Sequence, residues 1–133
     1  MWREVLDESG AERRVDVADC AGRVLGFVAT GPSREDPPAA RVGELYALYV
    51  DPTCWSTGVG RALLASATSR LARSGVREAL LWVLASNVRA RRFYERAGWI
   101  HDGHVKSKRL GGVPDFDAEV SEACYRRGSP AAG

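Results

Sequence analysis

The first third of the chain alternates apolar and polar side chains with the two-residue period of a β-strand. Residues 15–19 read Val-Asp-Val-Ala-Asp, a pattern typical of a half-buried strand. Residues 24–29 form a second, mostly apolar run after a short turn at residues 21–23, and the two runs together predict a β-hairpin. Residues 31–38 contain three prolines. Because proline has no backbone N–H to donate, this stretch is predicted to be a surface loop.

The middle of the chain continues with a strand and then changes to the period of a helix. Residues 44–50, Glu-Leu-Tyr-Ala-Leu-Tyr-Val, are rich in aromatic and aliphatic side chains and predict a strand. From Gly58 onward an apolar residue recurs at every fourth position, which predicts an amphipathic helix that ends at Ser74-Gly75. The predicted buried stripe consists of Val59, Leu63, Ala67 and Leu71, widened by Ala62 and Leu64.

A second strand and a second helix follow. Residues 79–85 are apolar throughout, as expected of a strand that is covered on both faces. Ser86 or Asn87 is predicted to cap the second helix, and Gly98 is predicted to end it. Its predicted buried stripe consists of Ala90, Phe93, Tyr94 and Ala97, and the predicted closing strands are residues 99–100 and 119–125.

The order of these elements predicts a mixed α/β fold, with some parallel strand pairing through a right-handed crossover. A length of 133 residues fits one domain, which we expect to span residues 1–133 with a core at about 15–127 and a tail at 128–133. The hydrophobic fraction of 45% and the charged fraction of 27% are ordinary for a globular protein. The net charge of +2 is too small to indicate a nucleic-acid partner.

No stretch of the sequence predicts a membrane segment. The longest apolar run, residues 79–85, is far shorter than the roughly 20 residues of a membrane-spanning helix. Residues 1–8 mix charges where a secretory signal peptide needs an apolar stretch. We therefore expect a cytoplasmic protein without a membrane partner.

No metal site is expected either. The three cysteines, Cys20, Cys54 and Cys124, are widely spaced and form no Cys-x-x-Cys pair, so they are predicted to be reduced thiols. His101 and His104 lie close together but lack a third ligand at a suitable spacing. The segment that they bound is predicted to be a solvated turn.

The strongest chemical signal is Gly58-Val59-Gly60, at the predicted junction of a strand with a helix. Glycines let the backbone turn tightly, and the start of a helix offers unpaired N–H groups and a partial positive charge that suit a phosphate. A dinucleotide fingerprint would need glycine where Leu63 stands, and a Walker loop would need Lys-Ser or Lys-Thr where Arg61-Ala62 follows. Both are disfavoured, and an ordinary strand-to-helix turn is the alternative.

Two sequence blocks resemble the GNAT family of N-acetyltransferases, whose signature is Arg/Gln-x-x-Gly-x-Gly/Ala. Residues 55–60, Trp-Ser-Thr-Gly-Val-Gly, match both glycines and place Trp55 where the family has Arg or Gln. The family's second block, about thirty residues later, is matched by Asn87, Ala90, Phe93-Tyr94 and Gly98-Trp99. The resemblance covers roughly residues 15–127.

The resemblance implies a mixed sheet with splayed central strands and flanking helices, and acetyl-CoA as co-substrate without a metal. The strand at residues 44–50 is implied to part from the strand at 80–85 and to pair with the pantetheine arm of the coenzyme. The implied pantetheine contacts are Leu48, Tyr49, Val50 and Asn87, with a simple helix cap as the alternative role of Asn87. The implied pyrophosphate contacts are the amides of Trp55, Ser56, Thr57, Gly58, Val59, Gly60 and Arg61.

The resemblance also implies direct attack of a primary amine, on a small molecule or a peptide, on the thioester of acetyl-CoA in a ternary complex. Glu44 lies fourteen residues before Gly58, where some family members place a glutamate base that acts through water. The alternative is a carboxylate that only steers cations. Tyr94 matches the family's tyrosine near the coenzyme sulfur and is the expected acid, with a core aromatic as the alternative. The competing function is a non-catalytic module of the same fold that binds coenzyme A or a protein.

The beginning of the chain departs from the family pattern. The family starts with a further strand and one or two helices, whereas only fourteen residues precede Val15. The first strand and helix are therefore expected to be absent or abbreviated, and residues 1–7 are predicted to be a remnant of the second helix. This departure would expose an apolar surface, so a homodimer is among the expected assemblies. The sequence does not name the amine.

Overall fold

A computed structural model describes residues 2–6, 13–34, 41–113 and 116–128, which fall into two compact units. The first unit contains the described residues up to Leu80 together with Gly128, and the second contains Leu81–Arg127. The predicted α/β class is confirmed. The expectation of a single domain stays a prediction.

The described residues form seven strands, two α-helices and one turn of 3₁₀-helix. The strands are β1 (Trp2–Leu6), β2 (Arg14–Cys20), β3 (Arg23–Pro32), β4 (Val42–Val50), β5 (Glu78–Leu84), β6 (Ile100–Val113) and β7 (Phe116–Gly128). The helices are α1 (Val59–Arg73) and α2 (Val88–Arg96), and the 3₁₀ turn spans Pro52–Cys54. Neither α1 nor α2 is long and apolar enough to cross a membrane.

The first unit is an antiparallel sheet of β1, β2, β3 and β4 with α1 packed on it. The predicted hairpin is confirmed, and its two-residue turn has positive φ at both Ala21 and Gly22, the geometry that matches the twist of the flanking strands. Strand β3 continues through Pro32, so the predicted loop begins later than expected. Residues 35–38 of that loop lie outside the described residues.

The predicted helical remnant at the beginning of the chain is wrong. Residues 2–6 form β1, which pairs antiparallel with β2 from Trp2↔Ala18 to Leu6↔Arg14. A five-residue helix would have little more than one hydrogen-bonded turn, whereas the edge of β2 supplies a backbone partner along the whole segment. A first strand is therefore present, whereas the expectation about the helix that follows it concerns residues 7–12, which lie outside the described residues.

Helix α1 forms as predicted and buries most of the predicted stripe. Leu63, Leu64, Ala67 and Leu71 are buried, whereas Val59 is half-buried and Ala62 is exposed. Under α1, the backbones of β3 and β4 approach closely at Gly26, where a Cβ atom would lie 2.5 Å from the carbonyl oxygen of Tyr49. This position requires glycine because the neighbouring backbone cannot move aside without breaking the strand pairing.

The second unit contains α2, β6 and β7 and most of β5, with β7 between β5 and β6. Strand β6 is longer than the predicted residues 99–100 and pairs antiparallel with β7. The core of the second unit includes Leu81, Trp99 and Tyr125, which are at most 2% exposed. Strand β5 is only partly covered, because Leu84 is 40% exposed.

The prediction of a solvated turn at residues 101–104 is wrong. This segment belongs to β6, where the register against β7 shifts between His101 and Val105. Gly103 has a φ of 91° and provides the irregular backbone of the bulge. Pairing with β7 decided the structure here, and the local sequence carried no strand pattern. His104 is nevertheless exposed, as the prediction supposed.

Gly26→Ala is expected to lower the free energy of unfolding by about 1–3 kcal/mol, because the added methyl group would force β3 and β4 apart. The measurement is urea unfolding followed by circular dichroism. Gly128→Ala is the control, since a Cβ atom there meets nothing within 4 Å. Equal stability of the Gly26 variant and the wild type would contradict this close approach.

Candidate functional site

The connection from β4 to α1 is held in shape by a network around Asp51. The Asp51 carboxylate accepts hydrogen bonds from the Thr53 backbone N–H at 2.9 Å and from Thr53 Oγ1 at 2.8 Å. Hydrogen bonds from the backbone and then the side chain of Thr53 lower the pKa of Asp51. Arg23 donates from Nη2 to Thr53 Oγ1 at 2.7 Å. The turn before α1 is therefore fixed by hydrogen bonds within the connection, from Thr53 to Asp51, and by one from Arg23 at the start of β3.

The start of α1 offers backbone donors that no side chain caps. Gly58 is the N-cap residue, with a φ of 95° and no side-chain cap hydrogen bond. Ser56 also has a positive φ, 64°. A Cβ atom at Gly58 would meet nothing within 4 Å, so the glycine is required by its left-handed backbone and not by lack of space. The first N–H groups of α1 are thus presented beside an exposed loop, as an anion site requires.

Trp55 stands at the end of β4 and reaches back to it. Its indole Nε1 donates to the carbonyl oxygen of Val50 at 3.0 Å, and the side chain is 48% exposed. Tyr49 is 49% exposed and packs on Phe27 with ring centroids 5.8 Å apart. Leu48 and Val50 are half-buried. The unit therefore brings the predicted residues 48–50 and 55–61 together at one end of β4, with the Val50 carbonyl already bonded to Trp55.

Glu44 lies near the opposite end of β4 and is only 2% exposed. Arg34 holds both of its oxygens. The Arg34 backbone N–H donates to Oε1 at 2.9 Å, and its guanidinium donates to Oε2 from Nε at 3.0 Å and from Nη2 at 2.6 Å. A buried carboxylate requires such a partner. The role of Arg34 was not predicted, because nothing in a proline-rich segment shows which residue ten positions away its side chain will contact.

Tyr46 completes the surroundings of Glu44. The Arg34 guanidinium lies 4.4 Å from the centre of its ring and that of Arg13 lies 5.6 Å from it. The Tyr46 hydroxyl donates to the carbonyl oxygen of Pro32. A Cβ atom at Gly31 would lie 2.5 Å from that hydroxyl, so glycine makes room for the ring. Burial is the main cause of the raised pKa of Tyr46.

In the second unit, Asn87 and Tyr94 are both carried by α2. Asn87 is the N-cap residue, and its Oδ1 accepts from the Ala90 N–H at 3.1 Å. Its amide nitrogen, which a cap does not use, is left on an exposed side chain. Tyr94 is 7% exposed and packs edge-on against Phe93 and Trp99, with ring centroids 5.3 and 6.2 Å away. Burial raises the pKa of Tyr94 to about 12.

A partly buried network links α2 to β7 and to the residue that follows β5. The Tyr125 hydroxyl donates to Glu95 Oε2 at 2.6 Å and accepts from Arg91 Nε at 3.0 Å. Arg91 also donates from Nη1 to the carbonyl oxygen of Ala85 at 2.9 Å. These bonds fix the orientation of the helix that carries Asn87 and Tyr94. The contact between Arg91 and Tyr125 was not predicted, because the two residues lie 34 positions apart in the chain.

The part of the chain that the structure describes contains no group of three potential metal ligands. The histidines at the β6 bulge have other surroundings. The ring of His101 packs on Tyr125 with centroids 5.3 Å apart, and His104 Nδ1 lies 3.0 Å from Asp102 Oδ2. Burial opposes ionisation of Asp102, but hydrogen bonds from Arg126 and His104 outweigh it and lower the pKa of Asp102.

The sequence model of the acetyltransferase (GNAT) family matches residues 2–99. A mycothiol acetyltransferase of Salinispora tropica is 43% identical over 82 residues, 61% of this chain and 26% of that protein. The chain spans about a quarter of the length of this and a second mycothiol acetyltransferase that it matches. Nourseothricin acetyltransferase superposes with a TM-score of 0.74 at 27% identity, covering 90% of this chain and 66% of that one. The paia N-acetyltransferase of Thermoplasma acidophilum, in complex with coenzyme A, shares the fold with a TM-score of 0.65 at 21% identity over 91% and 64% of the two chains.

The free energy of unfolding of the wild type is expected to fall between about pH 10 and pH 12 because Tyr94 titrates there, and Tyr94→Phe is expected to make this fall smaller. The folded protein holds the Tyr94 proton up to a pKa of about 12, whereas the unfolded chain releases it near pH 10. The folded state binds more protons in this window, so its extra stability is fully present below pH 10 and is lost as the pH rises through 12.

The full contribution of Tyr94 is about 2–3 kcal/mol. The measurement is urea unfolding near pH 9 and near pH 11, with Tyr49→Phe as the control because Tyr49 is 49% exposed. The same pH dependence in the wild type and both variants would contradict the perturbed titration of Tyr94.

Proposed function

Because the chain belongs to the GNAT acetyltransferase family, we propose that it transfers an acetyl group from acetyl-CoA to the nitrogen of a primary amine. The observation that carries the proposal is the uncapped start of α1 at Gly58, beside the end of β4. The fold neighbour from Thermoplasma acidophilum was solved in complex with coenzyme A, and the curated relatives are named acetyltransferases. Both support the choice of co-substrate.

The residues of the β4–α1 connection fit the coenzyme. The N–H groups of Trp55 and Thr57 already donate to the carbonyl oxygens of Pro52 and Cys54. Those of Ser56 and of residues 58–61 would hold the pyrophosphate, which favours a helix start with no acidic residue in its first turn. The backbone of residues 48–50 would pair with the pantetheine amides. The carbonyl of Val50 already accepts from Trp55 and that of Tyr49 lies beside Gly26 on β3, so Leu48 would supply the backbone acceptor. Asn87 would add its free amide N–H groups while its oxygen caps α2.

Two protons must move during the transfer. An alkyl amine has a pKa near 10.4 and must lose a proton before its lone pair attacks the carbonyl carbon of the thioester. The C–N bond then forms, the C–S bond breaks, and the departing sulfur carries the electron pair of that bond. We propose that Glu44 takes the amine proton through a water molecule, with Arg34 holding the carboxylate in place.

Tyr94 is proposed to stabilise the departing sulfur. Its pKa of about 12 lies well above the roughly 8.5 of a thiol, so complete proton transfer to the sulfur would be unfavourable. A hydrogen bond from the Tyr94 hydroxyl to the developing thiolate needs no such transfer and favours the transition state over the ground state. The proposed acid therefore acts mainly as a hydrogen-bond donor, and the thiolate takes its final proton from solvent.

The test of the function is release of coenzyme A thiol from acetyl-CoA across a panel of amines, with the N-acetylated product identified by mass spectrometry. The panel includes the acceptor of the mycothiol acetyltransferases. Coenzyme A is expected to raise the melting temperature, and at least one amine is expected to be acetylated. A raised melting temperature without thiol release from any amine would favour the non-catalytic coenzyme-binding module instead.

Glu44→Gln is expected to lower kcat/KM by about 10²-fold below the pKa of the amine, because the base is removed while the hydrogen bonds from Arg34 are partly kept. The loss should shrink as the pH rises and the amine loses its proton to solvent. Rates are measured from pH 6 to pH 10. Glu119→Gln, at an exposed position in β7, is the control. A loss of the same size at every pH would count against the base role.

Tyr94→Phe is expected to lower kcat by about 10²-fold, with less than a threefold change in the dissociation constant of coenzyme A. The variant loses the donor to the sulfur and keeps the packed ring. Steady-state kinetics and calorimetric titration of coenzyme A separate the two effects. Unchanged turnover would remove Tyr94 from the mechanism and leave it as a core aromatic.

A further inference from the structure

Two guanidinium groups and one carboxylate gather around the ring of Tyr46. We refer to Arg13, Arg34, Glu44 and Tyr46 as the Tyr46 cluster. The guanidinium of Arg34 lies 4.4 Å and that of Arg13 5.6 Å from the ring centre. Glu44 is joined to Arg34 by an Nη2–Oε2 contact of 2.6 Å. All four side chains belong to the first unit.

The charges of the Tyr46 cluster do not balance. Two arginines carry two positive charges, and Tyr46 is neutral because its pKa is raised, chiefly by burial. Among the described residues, Glu44 is the one carboxylate that forms an ion pair with a member of the cluster. One positive charge is left over. A site with such an excess favours an anion, and most strongly one that is partly removed from water.

The negative charge lies deep and the positive charges lie at the surface. Glu44 is 2% exposed, whereas the Arg34 side chain is 55% exposed and Arg13 is also exposed. A molecule that approaches the cluster therefore meets guanidinium groups before it reaches the carboxylate. An anionic group on that molecule would stay with the arginines, and a cationic amine would continue toward Glu44.

The Arg34 guanidinium is prepared for such a partner. Its Nε and Nη2 atoms donate to a single oxygen of Glu44, and the Tyr46 ring supports its plane. The Nη1 N–H groups take no part in these bonds with Glu44. A guanidinium held in this way loses little further conformational entropy when it binds a carboxylate through two parallel hydrogen bonds. If Arg34 served only to hold Glu44, its guanidinium would not need to be exposed, and Arg13 would not be needed beside the Tyr46 ring.

The spacing suits one small molecule. Tyr46 is the extra residue of a bulge in β4, because Leu45 pairs with Thr30 and Ala47 with Ala29. Its ring lies 4.4 Å from the Arg34 guanidinium, which also donates to Glu44. An anionic group bound at the exposed edge of that guanidinium would therefore lie a few bonds away from an amine directed to Glu44. The same strand continues to residues 48–50, which are proposed to carry the pantetheine arm.

We propose that the amine acceptor carries a carboxylate, which Arg13 and Arg34 bind while the amine is directed to Glu44. This inference rests on the proposed acetyltransferase function and names the class of its second substrate. Arg13 and Arg34 are then residues that determine acceptor specificity. Neither residue takes part in the proposed coenzyme binding, and Arg34 enters the proposed proton transfer only by holding Glu44 in place.

The test uses acetylated products, because they lack an ionisable amine and differ only at the acid group. N-acetylglycine, N-acetyl-β-alanine and N-acetyl-γ-aminobutyrate are titrated by calorimetry into the full chain saturated with coenzyme A, each beside its carboxamide. At least one carboxylate is expected to bind about tenfold or more tightly than its carboxamide. Arg13→Gln and Arg34→Gln should each reduce this preference to less than about threefold, with coenzyme affinity unchanged.

Arg73→Gln is the control, because Arg73 is exposed at the end of α1 and should leave the preference intact. Circular dichroism shows whether each variant is folded, and Arg13→Gln, at an exposed position, carries the test alone if Arg34→Gln unfolds. Equal binding of carboxylates and carboxamides, no binding of either up to 10 mM, or a preference that survives both substitutions would each overturn the inference.

The outcomes also separate this inference from the function itself. If the protein acetylates amines that have no carboxylate and binds carboxylates no better than carboxamides, the proposed acceptor class is refuted. The acetyltransferase function would remain. A carboxylate preference in binding, together with no thiol release from acetyl-CoA, would refute the transferase and leave an anion site at Tyr46.

Discussion

The left-handed turn at Gly58 is the constraint on which the proposed coenzyme half of the site depends. It lets the chain leave β4, pass through one turn of 3₁₀-helix and start α1 without a side-chain cap, so the first N–H groups of the helix face outward. The left-handed backbone conformation costs most residues about 1 kcal/mol or more, whereas glycine adopts it without this cost. Asp51 and Arg23 hold the rest of the connection, which makes the donors a fixed feature before any ligand arrives.

The opposite end of β4 is organised by a different requirement, the burial of a charge. Glu44 is almost fully buried, and an isolated carboxylate in that position would strongly destabilise the fold. Arg34 satisfies it with three hydrogen bonds, and the ring of Tyr46 supports the guanidinium. One strand thus joins a donor-rich turn to a compensated carboxylate. The chemistry that we propose uses both ends, the first for the coenzyme and the second for the amine.

The second unit shows how a fold fixes a side chain through its neighbours. Tyr94 packs against Phe93 and Trp99. Arg91 holds α2, the helix that carries Tyr94, by hydrogen bonds to the Tyr125 hydroxyl and the Ala85 carbonyl oxygen. Such packing leaves Tyr94 little freedom and keeps its hydroxyl protonated far above neutral pH. A donor of this kind suits a reaction in which negative charge appears on a sulfur atom for a short time.

Elements with local signals could be predicted from the amino-acid sequence. The four-residue spacing predicted α1, Asn87 and Gly98 bounded α2, and Gly58-Val59-Gly60 marked the turn that offers backbone donors, because caps and left-handed turns depend on residues within a few positions. Strand β1, the long β6 and the partners of Glu44, Tyr94 and Val50 depend on contacts between distant parts of the chain and were not predicted. Strand pairing and buried ion pairs join residues far apart in the chain, and no local pattern records which of many candidates will meet.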